Sequence, residues 1–298
     1  MQYKGRRVPP LFFFTRNFIM RHYFSILTFA AAALLLTSCA KTQEEPLVEF
    51  QTTLGNFTVK LYKETPAHRD NFVKLVNDGF YDGLLIHRVE KDYMMQTGDP
   101  GSKNASINRA IGTGGPGYDL EPEIDTIISD SSRLFNKRGA LTAARMPDHL
   151  NPKKMSNGSQ FYIIVGQTFT QQQLDTLEMM DRDSKLDIIW QKLIMANRDK
   201  IDACNRRDDA EKRLQFIQDS LTQVASDIIN SRKTLKFTKA QRDAYTTVGG
   251  IPALDKEYTV FGEVVKGMDV IMKINDVKVN RLYRPTEDVR IIKAEVLK

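Results

Sequence analysis

Between residues 170 and 248 the chain carries almost no turn signal, and this one stretch decides what the remainder can be. On both sides of it the pattern is β-type, with short alternating runs separated by Gly, Asn and Pro. Neither side holds enough strands to bury a core alone. Both must therefore join one sheet system that a helical arm interrupts. Within the arm, Thr170 with Gln173 and Thr238 with Gln241 form T-x-x-Q capping boxes. Leu214, Ile217, Leu221, Val224 and Ile228 step by three and four, which is a heptad seam. Leu186, Trp190, Leu193 and Ile201 supply an opposing apolar face. This spacing predicts an antiparallel helical hairpin closed by a short third helix near 239–245.

The β-type parts can be placed in order. "VEFQTTLGNFTVKLY" reads as a hairpin around Gly55-Asn56, and "PAHRDNFVKLVNDGF" as a helix stopped by Gly79. "LLIHRVEKDYMMQTGDP" reads as a second hairpin, with Arg88 and Gln96 set among apolar residues. "GTGGPGYDLEPE" is a glycine-rich loop, and "RGALTAAR" and "GSQFYIIVG" are strands. Beyond the arm, "YTVFGEVV" is a strand, "GMDVIMKI" a short helix and "VRIIKAEVL" a closing strand.

Charge and cysteine content narrow the function. The formal charge is +6, from 43 basic and 37 acidic residues. Five of the basic residues lie in the first 38, a segment without acids, so the body carries 38 against 37. A polybasic nucleic-acid binder is excluded on that balance. The apolar run "YFSILTFAAAALLL" has 14 residues, short of the ~20 of a spanning helix. With Arg21 and His22 before it and "LTSC" at its end, it describes a secretory signal. An uncleaved anchor is the alternative. Met1 and Met20 are both candidate starts. The ending at Cys39 resembles a bacterial lipoprotein signal, which implies a lipidated cysteine. Cys204 is then unpaired, so no disulfide framework is expected. The expected organisation is a leader over 1–38, a tether over 39–47, a domain from 48–166 and 250–298, and the arm over 167–249.

"IHRVEKDYMMQTGDP" closely resembles the central motif of the cyclophilins, the peptidyl-prolyl cis-trans isomerases. The resemblance continues in "GTGGPGYDLEPE", "GALTAA", "SNGSQFYIIVG" and "LDKEYTVFGEVVKGMDVI", in the family's order. It implies a mainly β fold, an eight-stranded antiparallel barrel capped by two helices. It also implies an enzyme that needs no cofactor or metal. Arg88 matches the family's catalytic arginine, and Gln96 the glutamine that supports it and reaches the substrate backbone. Tyr93, Met94, Tyr162, Leu254 and Tyr258 match the proline pocket. Gln160 and the backbone at Ala144 and Arg145 match the wall that hydrogen-bonds the peptide. The implied partners are proline-containing polypeptides, exported clients in particular, with a membrane reached through the lipid on Cys39 at the cell envelope.

Each residue also has a plainer reading. An arginine on a strand is most simply a rim charge, and Met94, Tyr162 and Leu254 taken singly would be core. His87 alternates with Arg88 and is assigned to packing on the other face. The glycines at 112–117 lack a phosphate-loop lysine and suit a loop with positive φ. Some positions depart from the family's pattern. Tyr93 and Tyr162 replace phenylalanines, Arg145 an asparagine and Tyr258 a histidine. Ala253 stands where many members carry tryptophan, which implies weak cyclosporin inhibition. "RMPDHLNPKK" lengthens one loop. The alternative function is a non-catalytic proline-peptide binder or chaperone that works through the arm.

Overall fold

Strand β1 (Leu47–Thr52) turns through Thr53 and Leu54 into β2 (Gly55–Leu61), so this turn lies two residues before the Gly55-Asn56 expected from sequence. The Thr52 hydroxyl explains the offset. It donates to the Gly55 carbonyl at 2.6 Å and accepts from the Leu54 N–H at 3.1 Å, closing the turn early. The computed structural model describes residues 45–124, 131–204 and 209–297. The expected leader, Cys39 and most of the tether lie outside the described residues. No helix among the described residues is long and apolar enough to cross a membrane.

The remaining strands are β3 (Arg88–Glu90), β4 (Met94–Thr97), β5 (Asp119–Leu120), β6 (Ala140–Ala143), β7 (Ser156–Asn157), β8 (Phe161–Ile164), β9 (Val260–Lys266) and β10 (Ile291–Val296). Eight of them form one antiparallel sheet in the order β10-β1-β2-β9-β6-β8-β4-β3, while β5 pairs with β7. The sheet curls until its edges meet. Gly83 N–H bonds Ile291 O at 2.8 Å, Ile291 N–H bonds Leu84 O at 2.9 Å, and Ile86 N–H bonds Val289 O at 2.9 Å. Helix α1 (Pro66–Asn77) packs on β9 and β10. A second cap, the helix Met268–Asn275, packs on β2, β3 and β4. Phe50, Phe57, Phe72, Tyr81 and Phe161 stack inside, with Phe50 and Phe57 rings 5.0 Å apart.

The arm begins after β8. Helix α2 (Gln171–Ala196) stops at Asn197, α3 (Arg198–Cys204) continues past it, α4 (Ala210–Ser231) returns, and α5 (Lys239–Thr247) closes; the Met268–Asn275 cap is then α6. Both expected capping boxes are formed, with Gln173 N–H to Thr170 Oγ1 at 3.1 Å and Gln241 N–H to Thr238 Oγ1 at 3.2 Å. Helices α2 and α4 are antiparallel, since Glu178 reaches Phe237 and Arg182 reaches Asn230. Ile189, Ala225 and Ile229 are buried between them, with Leu186, Trp190, Leu193 and Ile228 around. The expected seam is displaced at Val224, which is 42% exposed while Ala225 is 1%. A small residue lets the helices approach there, so the stripe follows Leu221, Ala225 and Ile229 by steps of four.

The arm is tied to the sheet at two glycines. Gly250 N–H bonds Gln167 O at 2.9 Å, and Gln167 N–H bonds Gly250 O at 3.3 Å. Gly166 has φ +60°, and a Cβ on it would lie 2.3 Å from the Gly250 carbonyl oxygen. Backbone meets backbone there, so no side-chain movement can relieve the overlap. Gly166→Ala is expected to cost more than about 2 kcal/mol of stability, combining αL strain with the forced separation of the strands. Chemical denaturation of the two proteins measures this, and an unchanged midpoint would contradict the close approach.

Candidate active site

Strands β4 and β8 are buried on both faces, which is why they read as near-continuous apolar runs. Met95, Leu141, Phe161 and Ile163 face the inner core. The alternate residues Met94, Ala140, Tyr162 and Ile164 face outward into a second apolar cluster. Tyr93, Leu254 and Tyr258 pack around that cluster, and the Tyr162 and Tyr258 rings meet edge-on at 5.8 Å. The sheet register then sets one cross-strand row on this face, with Arg88 opposite Gln96, Gln96 opposite Tyr162, and Tyr162 opposite Thr142.

Arg88 is held rather than free. Its Nη1 donates to Gln96 Oε1 at 3.1 Å, and its Nη2 donates to Glu90 Oε1. Glu90 lies two residues along the same strand, hence on the same face. The sequence reading missed it, although the R-x-E spacing carries that signal. Of the five N–H donors of a guanidinium, the other three take no partner among the described residues. The Arg88 side chain is 43% exposed, so those donors are open to a ligand.

Behind Arg88 runs a relay. Gln96 Nε2 donates to Gln160 Oε1 at 2.9 Å. Gln160 Nε2 donates to the carbonyls of Gly112 at 3.0 Å and Gly114 at 2.6 Å. Asp99 fixes that loop from its other side, accepting from the N–H groups of Gly101 at 2.7 Å, Gly112 at 2.6 Å and Gly114 at 3.1 Å. Burial of Asp99 works to raise its carboxyl pKa, but these three bonds outweigh it and hold the group below the usual carboxylate range. Asn157 completes the frame, accepting from Gln160 N–H at 2.9 Å and donating to Gly114 O at 3.0 Å. Asp99 and Asn157 were also missed, because an Asp in "TGDP" reads as a simple turn residue.

The peptide wall is partly engaged. Ala144 N–H bonds Gln160 O at 3.0 Å, and Ala144 O accepts from Asn157 N–H at 2.8 Å. The N–H and C=O of Arg145 take no partner among the described residues. The Arg145 side chain turns elsewhere. Its guanidinium lies 4.4 Å from the Tyr258 ring centre and bonds Glu257 O at 2.9 Å and Asp148 Oδ1 at 2.5 Å. Lys154 pairs with Glu257, so the lengthened loop is clamped at both ends. A cavity of about 310 Å³ results, bounded by Gln96, Gln160, Thr113, Met146, Leu150 and Met155. The structure therefore brings every described candidate residue to one face. Tyr162 adds a buried hydroxyl with no partner among the described residues.

Comparison with known proteins adds a family. The model described as cyclophilin type peptidyl-prolyl cis-trans isomerase/CLD matches residues 47–182 and 232–296. A protein of Staphylococcus saprophyticus named "Putative peptidyl-prolyl cis-trans isomerase" is 27% identical over 247 residues, covering 83% of this chain and 89% of its own. One of the same name from Staphylococcus aureus (strain USA300) is 28% identical over 258 residues, covering 85% and 93%. A crystal structure of a cyclophilin-type isomerase from Cryptosporidium parvum aligns with a TM-score of 0.49 at 16% identity, covering 85% of this chain and 98% of that one.

His87 lies on the opposite face to Arg88, 4% exposed, beside Gly112. Burial lowers its pKa from 6.5 to about 4, against the attraction of the Asp99 charge and with help from Arg88. The folded state thus keeps the ring neutral while the unfolded chain protonates near pH 6.5. This contribution to stability is complete above pH 6.5 and is lost as pH falls toward 4, by about 3 kcal/mol. Urea unfolding at pH 7 and pH 4 should show His87→Leu losing less stability than the unmodified protein, by about that amount. Equal losses would contradict the buried neutral ring.

Proposed function

The chain belongs to the cyclophilin-type peptidyl-prolyl cis-trans isomerase family, and from that premise we propose that Arg88 turns over Xaa-Pro bonds of exported polypeptides by stabilising the twisted amide. Rotation about an Xaa-Pro bond meets a barrier of about 18–20 kcal/mol set by amide resonance. No bond breaks, so the catalyst has only to bind the twisted state better than the planar one. In the twisted amide the prolyl nitrogen loses conjugation and its lone pair accepts a hydrogen bond. A guanidinium donates there without any proton being lost, because it stays charged throughout the physiological range.

The observation that carries this reading is the position of the Arg88 donors. They stand open on the same face as the apolar cluster of Met94, Tyr162, Leu254 and Tyr258, which we read as the floor of the proline pocket, and are anchored by Gln96 and Glu90. The pocket holds the proline ring still while the preceding residue rotates. The N–H and C=O of Arg145, without a partner among the described residues, supply strand-like contacts to the peptide backbone. Preorganised donors of this kind need no rearrangement at the transition state. The remaining parts of the proposal are the lipid on Cys39 and attachment at the cell envelope, which rest on the "LTSC" pattern.

One observation favours a second role. Between α2, α3 and α4 the arm leaves an open apolar groove of about 400 Å³, lined by Trp190, Ile194, Ile201, Leu214, Ile217 and Leu221. A protein that held clients through that groove would bind them whether or not it turned them over.

Magnetisation-transfer NMR on a short Ala-Pro peptide, with the full-length protein in detergent, separates the two. Arg88→Ala is expected to lower kcat/KM by about 100-fold or more, the scale of losing an essential transition-state donor. Peptide binding without accelerated exchange in the unmodified protein would overturn the catalytic reading and direct attention to the arm.

A further inference from the structure

A second cavity, of about 320 Å³, lies where the arm joins the sheet. Its walls are Tyr93 from the β3–β4 turn, Ile251, Pro252 and Ala253 from the segment after the arm, Phe169 from the arm's first loop and Leu177 from α2. Its floor is backbone that is already paired. Val165 and Gly166 N–H groups both bond Tyr93 O, at 2.9 and 3.1 Å, and Gln167 pairs with Gly250. Little is left there for a polar ligand to bond. The charged rim is also occupied in part, since Lys91 is tied to Asp276 at 2.7 Å.

This cavity adjoins the proline pocket. Tyr93 contributes to both. Ile251 is buried in the same apolar cluster as Met94 and Tyr162. The single 3₁₀ turn Pro252–Leu254 sends Leu254 to the proline pocket and Pro252 and Ala253 to the other cavity. A peptide anchored by its proline therefore has flanking side chains within reach of it, because neighbouring Cα atoms are only 3.8 Å apart. A cavity of ~150 Å³ lined by apolar groups already takes benzene, so this one accommodates a phenyl or isobutyl group.

We propose that the cavity is a specificity subsite, formed jointly by the arm and the sheet, for one large apolar side chain flanking the proline of the substrate. The assignment rests on the reading of the Arg88 face as the isomerase site. It gives the arm a direct part in substrate choice, through Leu177 and Phe169, which line the cavity together with Ile251, Pro252 and Ala253. Burying a leucyl or phenyl group there in place of a methyl group favours the larger substrate by roughly tenfold or more, the range for a few methylenes in an apolar pocket.

The test uses short peptides around one Ala-Pro bond, with each flanking position in turn Ala, Leu or Phe, and reads kcat/KM by exchange NMR. The protein is the full-length chain in detergent, unmodified, Ala253→Glu and Leu177→Ala. Ala253 is exposed, so its replacement leaves the core intact. The ratio of Leu to Ala peptides is independent of how much of each preparation is folded. One flanking position is expected to favour Leu or Phe about tenfold, and both variants are expected to bring that ratio close to one. Turnover of the all-alanine peptide with no discriminating position would overturn the subsite and leave the isomerase reading standing. A preference that survives both variants would overturn it too. Acceleration of no peptide at all would overturn the isomerase reading and the subsite with it.

Discussion

The side chain of Gln96 occupies a strand buried on both faces, where an amide with any bond unmade costs about 1–3 kcal/mol. Two neighbours meet its needs. Its oxygen accepts from Arg88, its nitrogen donates to Gln160, and Gln160 in turn holds the glycine loop through Gly112 and Gly114. The direction of each bond is forced, because a guanidinium can only donate. Arg88 must take the Gln96 oxygen, which leaves the amide nitrogen for Gln160. One strand residue thus fixes the aim of the arginine, the orientation of a second glutamine and the height of a loop 16 residues away from it in sequence. Asp99 and Asn157 close the same network from the far side of the loop.

Much of this is legible in the sequence. The period of two along "IHRVEKDYMMQT" puts His87 and Arg88 on opposite faces, and the turn between 91 and 93 brings Arg88 level with Gln96. The arm announced itself by its capping boxes and the loss of turn residues. The parts that were not legible share a cause, namely contacts between residues distant in sequence that local pattern does not encode. Asp99 looks like a turn residue until the glycine loop folds over it. The helix seam runs through Ala225 because α2 approaches closely there, and an alanine carries little weight in a hydrophobic pattern. Arg145 was expected to matter through its backbone, and its side chain proves to clamp the "RMPDHLNPKK" loop against Tyr258 and Glu257.

The arm is joined to the site by a buried acid. Asp255 follows Leu254 directly and is 9% exposed. Its two oxygens accept from Asn136 N–H at 2.8 Å and Nδ2 at 3.2 Å, and from Gln241 Nε2 and Tyr245 Oη, both at 2.7 Å. Burial raises its pKa, and the four donors oppose that rise. Gln241 and Tyr245 belong to α5, while Asn136 Oδ1 accepts from Thr142 at 3.0 Å, and Thr142 lies opposite Tyr162 in the sheet. A break in this cluster would leave a buried charge short of partners, which is strongly unfavourable. The inserted helices are therefore bonded to the segment that carries Leu254 and, through Asn136 and Thr142, to the strand beside Tyr162.

In the proposed mechanism Gln96 acts through Arg88 and not independently on the peptide. A double-mutant cycle of Arg88→Ala and Gln96→Ala, read as kcat/KM on one Ala-Pro peptide, addresses that directly. If Gln96 works by aiming the guanidinium, the double variant loses no more than Arg88→Ala alone, and the two single losses do not add. Fully additive losses would show two independent contributions and would contradict the relay as the basis of catalysis.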